Sequence, residues 1–222
     1  MKHIDYQLNA GGDMCSLGGI VESMRLMRQK PLKHFPFAIM NINKKNRDVK
    51  IGLVSENGRP FTYDSFRKWH GRRGLQMVQL TYRVNCGYGH YMLLIIDDGV
   101  MYLFNSSPKY ADQVQLKCTL KKIAPKLDVD YRGNIFWALG WIWRRQLQIQ
   151  DTCSIWIALV YYKIAAEQNA VHPNWKKTLK IFLSKPLKEQ RRELHEFHRK
   201  HLYSKSFSVP LEPKTSMFSC FG

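Results

Sequence analysis

Residues 91–97 read Tyr-Met-Leu-Leu-Ile-Ile-Asp, and the six residues from Val100 to Asn105 (VMYLFN) are nearly as apolar. A continuous apolar run this short, bounded by turn signals, reads as a buried strand. Asp98-Gly99 lies between the two runs and is the dipeptide of a tight two-residue hairpin. Any fold for this chain must therefore bury a β-hairpin whose first strand has no polar side. Leu75–Val84 alternates just before it and supplies a third strand.

The rest of the chain fits around that hairpin. Phe37–Ile42 is apolar enough for a strand, with an exposed turn over Lys44–Lys50. Ile51–Val54 and Phe61–Tyr63 flank Asn57-Gly58, a second turn signal, and Arg67–Gly74 reads as a basic loop or helix end. Helical spacing appears in 13–30, where Leu17, Ile20, Val21, Met24 and Met27 recur, before Pro31 and Pro36 interrupt it. Val114–Leu120 alternates, with a basic helix or loop after it. From Asp151 the pattern turns helical to about Gln168, with Asp151 and Thr152 able to cap its start. Ile155, Trp156, Leu159 and Val160 surround much of that helix, so it is expected to be buried. Two further helices are expected at Trp175–Leu183 and Lys188–Leu202. The expected class is α+β: a mixed central β-sheet packed by the buried helix, with C-terminal helices. No repeat or linker divides the chain, so residues 1–203 are read as one domain and 204–222 as a loosely held tail.

Composition narrows the function classes. The chain has 222 residues, 45% of them hydrophobic, which suits a packed globular domain rather than a disordered one. No leader-like segment opens it, and the apolar runs are too short to span a bilayer, so a chain inside the cell with no membrane partner is expected. The five cysteines (Cys15, Cys86, Cys118, Cys153, Cys220) are odd in number and scattered, with no CxxC pair, which argues against disulfides and structural zinc. Lys and Arg outnumber Asp and Glu by 35 to 17, a formal charge of +18 that attracts polyanions, nucleic acid above all. The charge clusters in Lys30–Lys50, Arg67–Arg73, Lys117–Lys126 and Lys176–Lys205, none of which is an RNA-recognition, zinc-finger or P-loop signature.

Two places carry candidate chemistry. A thiol in the first turn of a helix meets unsatisfied N–H groups and partial positive charge, which favour thiolate and can hold an oxyanion. Cys153, two residues past Asp151, occupies such a position. His90 begins the apolar strand, after Gly87 and Gly89, and can serve as general base. With a tight turn at Asp98-Gly99, residues 90 and 105–107 come near one another across the hairpin, so Asn105 can orient the imidazole. Taken singly, each residue has an ordinary structural reading: a small buried hydrophobe, a satisfied histidine, a turn asparagine.

The order of the local words adds to this. GHYMLLIID, then YLFNSS, then a glutamine-rich stretch, then DTCSIW opening a helix resembles the adenovirus-type and ubiquitin-like-protein-type cysteine proteases. The resemblance covers roughly residues 80–165 and is nearest to the versions carried by large DNA viruses and related mobile elements. Tyr91 and Asp97 match the aromatic residue after the histidine and the aspartate seven positions on. Ser154 stands where cellular members carry glycine, and Asn105 where aspartate is commoner. The resemblance implies an adenovirus-protease-like fold and a cysteine endopeptidase with Cys153 as nucleophile, His90 as base, Asn105 as its orienting amide and a glutamine in the oxyanion hole. Gln146, Gln148 and Gln150 alternate and all compete for that last role, with Gln148 favoured for its reach to the helix start. By the same analogy the substrates are viral structural precursors or ubiquitin-like tails, and the enzyme acts in the virion and the host cell interior, travelling on nucleic acid. The chief alternative is a nucleic-acid-binding protein with a decayed protease-like core. Related acyltransferases with the same His–acid–Cys order would need a basic pocket for a phosphorylated cofactor.

Nothing else in the sequence asks for a cofactor or metal. His195, His198 and His201 recur on one predicted helix, but HExxH is absent and a solvated face is the expected reading. Trp137, Trp141 and Trp143 read as packing residues, and Asp128 with Asp130 makes a carboxylate pair only by proximity.

Overall fold

The computed structural model describes residues 8–9, 12–13, 37–45, 48–55, 59–71, 74–84, 89–106, 113–133, 135–137, 153–166 and 174–201. In chain order these form β1 (Leu8–Asn9), β2 (Gly12–Asp13), β3 (Phe37–Lys45), β4 (Asp48–Ser55) and β5 (Pro60–Phe61). Helix α1 (Tyr63–His70), β6 (Gln76–Val84), β7 (Gly89–Asp97), β8 (Val100–Asn105) and α2 (Gln113–Ile123) follow. The chain continues through a 3₁₀ turn (Ala124–Leu127), β9 (Ile135–Trp137), α3 (Cys153–Ala166), α4 (Trp175–Ser184) and α5 (Leu187–His201).

Seven strands make one mixed sheet in the order β5-β4-β3-β6-β7-β8-β9. The β3–β6 and β8–β9 pairs are parallel; the others are antiparallel. The outermost strands have only two and three residues, which limits the unpaired edge offered to other chains.

Alternation along β7 explains its unbroken apolar run. Tyr91, Leu93 and Ile95 join a core cluster with α3, α4 and α5, whereas Met92, Leu94 and Ile96 join a second cluster on the other face. That second face carries α1 through Phe66 and α2 through Leu116, Leu120 and Ile123. Layers on both sides leave no solvated side for polar residues to occupy. The turn is as the Asp-Gly pair demands: Asp98 has φ 48° and Gly99 φ 72°, the doubly positive geometry that matches the twist of the flanking strands.

Helix α3 is apolar around its whole circumference, with Ile155 through Tyr161 all buried, as expected for an interior helix. Each fully buried aliphatic side chain there contributes roughly 1.5–3 kcal/mol. A single charge at Ile157 would put an unpaired ion into this layer and break it. The last three helices are tied by polar contacts: Glu193 on α5 accepts from both Lys163 on α3 and Lys185 after α4. Burial opposes the ionised form of Glu193, but those two lysines win and hold its carboxyl below the usual range. Gln190 closes α4 by donating to the carbonyls of Leu183 and Lys185.

Several sequence expectations change. Val114–Leu120 is helix, not a strand-like alternation: Leu116, Leu120 and Ile123 form the buried stripe, while Val114 is 71% exposed and misled the pattern. Tyr63 does not continue the strand at Phe61; Thr62 caps a helix instead, accepting from the Ser65 N–H, with Phe66 and His70 one turn apart on its buried side. The stretch expected as an exposed turn over Lys44–Lys50 is mostly strand, since β3 runs to Lys45 and β4 starts at Asp48. Of the helix expected over 13–30, Asp13 belongs to β2 and the remainder lies outside the described residues, as do Asn57-Gly58 and the tail 204–222. No described helix is long and apolar enough to cross a membrane.

Candidate functional site

His90 is the second residue of β7 and Asn105 the last of β8, so the hairpin register brings the ends of two adjacent strands together. Leu93 pairs with Phe104, and one further step along each strand places Asn105 diagonally across from His90 on the same face. The His90 Nε2 lies 2.7 Å from the Asn105 Oδ1. An amide oxygen can only accept, so Nε2 carries the proton and donates it; Nδ1 is then the nitrogen with the basic lone pair. Both residues are buried, His90 at 4% exposure and Asn105 at 1%. Burial pushes the imidazole down from 6.5 to about 4, against a smaller opposing effect of the Asn105 hydrogen bond. At neutral pH the ring is therefore neutral and fixed in one tautomer.

Cys153 is the first residue of α3 and is buried, at 4% exposure. The N–H groups of a first helical turn have no partner inside the helix and carry the positive end of its dipole. That field favours the anion of a sulfur there, while burial among apolar side chains opposes it. The two halves of the candidate site stand differently on the sheet. By alternation His90 and Asn105 fall in line with Met92, Leu94, Met101 and Leu103, whereas Cys153 belongs to the opposite cluster with Tyr91 and Phe104. His90 is the second residue of its strand, one position from that end of β7.

Gln148, with Gln146 and Gln150, lies outside the described residues, as do Asp151 and Thr152. Of the tryptophans, Trp137 ends β9 while Trp141 and Trp143 fall outside. Asp97, the aspartate seven positions after His90, is far from that end. It closes β7 and accepts from the Trp175 Nε1–H at 2.9 Å, with the Lys176 ammonium at 3.5 Å. Its role is to anchor α4 to the hairpin, and Tyr102 packs edge-on against the same tryptophan at 5.1 Å. Cys118 is exposed on α2; Cys15, Cys86 and Cys220 are outside the described residues. His195, His198 and His201 fall on α5, with their side chains outside the described ones; among the side chains that are described, no three His, Cys, Asp or Glu gather as a metal site. Asp130 pairs with Arg132, while Asp128 takes the left-handed turn after the 3₁₀ segment, so the two carboxylates are put to separate structural uses.

Sequence reasoning missed two buried polar features, one beside His90 and Asn105 and one at the far end of the β6–β7 pair. Ser106, next to Asn105, is 1% exposed, and its hydroxyl has no hydrogen-bond partner among the described residues. Its place in the FNSS word was the available signal. His70 and Gln76 form a second buried polar pair, with His70 Nδ1 bonded to the Gln76 Oε1 and the Gln76 Nε2–H donating to the His70 carbonyl at 2.8 Å. That pair closes the short connection between α1 and β6.

No family model matches the chain, and no curated protein matches it.

Proposed function

We propose that the chain is a cysteine endopeptidase of adenovirus-protease-like fold, with Cys153 as nucleophile, His90 as general base and Asn105 as the amide that orients it. The observation that carries this reading is the 2.7 Å bond between the His90 Nε2 and the Asn105 side-chain oxygen, which leaves Nδ1 as the basic nitrogen of a neutral, buried ring. A helix that begins at a buried cysteine and packs on the strand bearing that histidine supplies the second element. In this reading thiol and imidazole meet at the rim of the sheet.

The chemistry then runs in two halves. The His90 Nδ1 takes the thiol proton as the Cys153 sulfur attacks the scissile carbonyl carbon. The oxyanion is held by first-turn N–H groups of α3 and by Gln148. His90 returns its proton to the leaving amine, giving an acyl-enzyme; water, deprotonated by the same nitrogen, releases the acid and restores the thiol. No cofactor enters.

The partners proposed are polypeptides, with viral structural precursors as the substrate class and ubiquitin-like tails as the second, acting in virion and host interior. Nucleic acid is proposed as a further partner, on the observation that exposed Arg67 and Lys68 on α1 adjoin the lysine-rich α2–3₁₀ unit. The Arg67 Nη1–H donates to the Lys126 carbonyl at 3.4 Å, and the Lys126 ammonium lies 5.7 Å from the centre of the Tyr63 ring.

A peptide ending in glycine and carrying a vinyl sulfone in place of the scissile bond tests the reading. A single covalent adduct at Cys153, absent from His90→Ala, is the expected result. Labelling spread over several cysteines, unaffected by that substitution, would remove the nucleophile and leave polyanion binding as the better account.

A further inference from the structure

The site proposed above leaves the buried Ser106 hydroxyl unexplained. Ser106 follows Asn105 directly and is 1% exposed. Its hydroxyl finds no acceptor among the described residues, although a buried hydroxyl is nearly always satisfied. Alternation along β8 puts Asn105 on the face of His90, and carries Ser106 with Tyr102 and Phe104 to the face of Cys153. Continuing the β7–β8 register one pair beyond Asn105 sets Ser106 opposite Tyr91, which shares the apolar cluster of Cys153. The one strand end thus presents an amide to the base and a hydroxyl to the side of the nucleophile. The other such hydroxyl, that of Tyr131, lies at the far end of β8, beside the bond from the Met101 N–H to the Asp130 carbonyl.

We propose that Ser106 is a positioning residue of this same site, whose hydroxyl donates to the Cys153 sulfur once the thiol has lost its proton. The inference rests on the cysteine-protease reading. In the resting state the sulfur is a weak acceptor and the donor is idle; as charge develops, the bond forms and favours the anion. A contact made only with the charged form assists reaction, whereas one made equally in both states would not. The titratable side chains that β7 and α3 contribute to this reading are His90, Tyr91 and Cys153.

The test is the pH profile of Cys153 alkylation by iodoacetamide, with sites assigned by mass spectrometry, in the full-length wild type, Ser106→Ala and Ser106→Thr. The alanine variant is expected to shift the profile upward by about one pH unit, a roughly tenfold slower reaction on its rising limb. Its thermal midpoint should stay the same or rise, because an unsatisfied hydroxyl has been removed. The threonine variant, which keeps the hydroxyl, should retain the wild-type profile, and Ser106→Gly replaces the alanine variant if that one does not fold. A wild-type profile in the variant lacking the hydroxyl overturns the inference alone. A wild-type Cys153 that reacts no faster than Cys118 overturns the protease reading, and the inference with it.

Discussion

The Nε2–H of His90 donates to the Asn105 side-chain oxygen at 2.7 Å in a setting closed to solvent, and that bond fixes the tautomer and orientation of the ring. It also ties stability to pH. In the unfolded chain the imidazole titrates near 6.5; in the folded protein burial lowers it to about 4. Above pH 6.5 neither state is protonated and the full stability is present. As pH falls from 6.5 to about 4, only the unfolded state gains the proton, so stability is lost, by about 3 kcal/mol in all. Urea midpoints measured from pH 7 to pH 4 should fall accordingly in the wild type. His90→Gln should lack this part of the slope.

Asn105→Asp places a carboxylate where the amide oxygen now accepts. The negative charge favours the imidazolium, so His90 should titrate higher than in the wild type and the acid loss of stability should shrink. Asn105→Ala instead leaves a buried N–H without its acceptor, at a cost of roughly 1–3 kcal/mol. Histidine NMR titrations and chemical denaturation read the two effects separately.

Asp97 is an anchor rather than a member of the site. Removing it in Asp97→Ala leaves the Trp175 N–H without its acceptor and releases Lys176, so α4 should dock less firmly, with stability down by roughly 1–3 kcal/mol. Trp175→Phe should reproduce much of the loss, because it removes the same bond. The two substitutions combined should cost less than their sum, as a double-mutant cycle by denaturation would show.

Gly99 is held at φ 72° with open space around the position a side chain would take. Gly99→Ala therefore tests backbone strain alone. A destabilisation of roughly 1 kcal/mol is expected, and Gly99→Asn should recover part of it, because asparagine tolerates the left-handed region.

The hairpin and its dyad were legible in the sequence because local signals agreed. An unbroken apolar run, an Asp-Gly turn and a histidine and asparagine fifteen positions apart all specify one register. The last three helices were legible for a similar reason, since Trp175, Leu179 and Phe182 repeat at helical spacing. Helix α2 was not, because exposed Val114 falls two residues before Leu116 and imitates a strand. Helix α1 was obscured by its many charges, and only Phe66 and His70 mark its buried side. The partner of Asp97 could not be read at all: Trp175 is 78 positions away, and only the packing of α4 on the sheet brings the two together. Ser106 escaped notice because a serine after an asparagine reads as a turn until its burial is known.

The central claim is that Cys153 and His90 act as one chemical unit, and the alkylation rate of Cys153 at pH 6, set against exposed Cys118 in the same molecules, tests it most directly. His90 is unprotonated at this pH, since burial lowers it to about 4. The account predicts that buried Cys153 reacts faster than Cys118, and that His90→Ala reverses the order without unfolding the protein. Equal or slower reaction at Cys153, unchanged by the loss of His90, would contradict it.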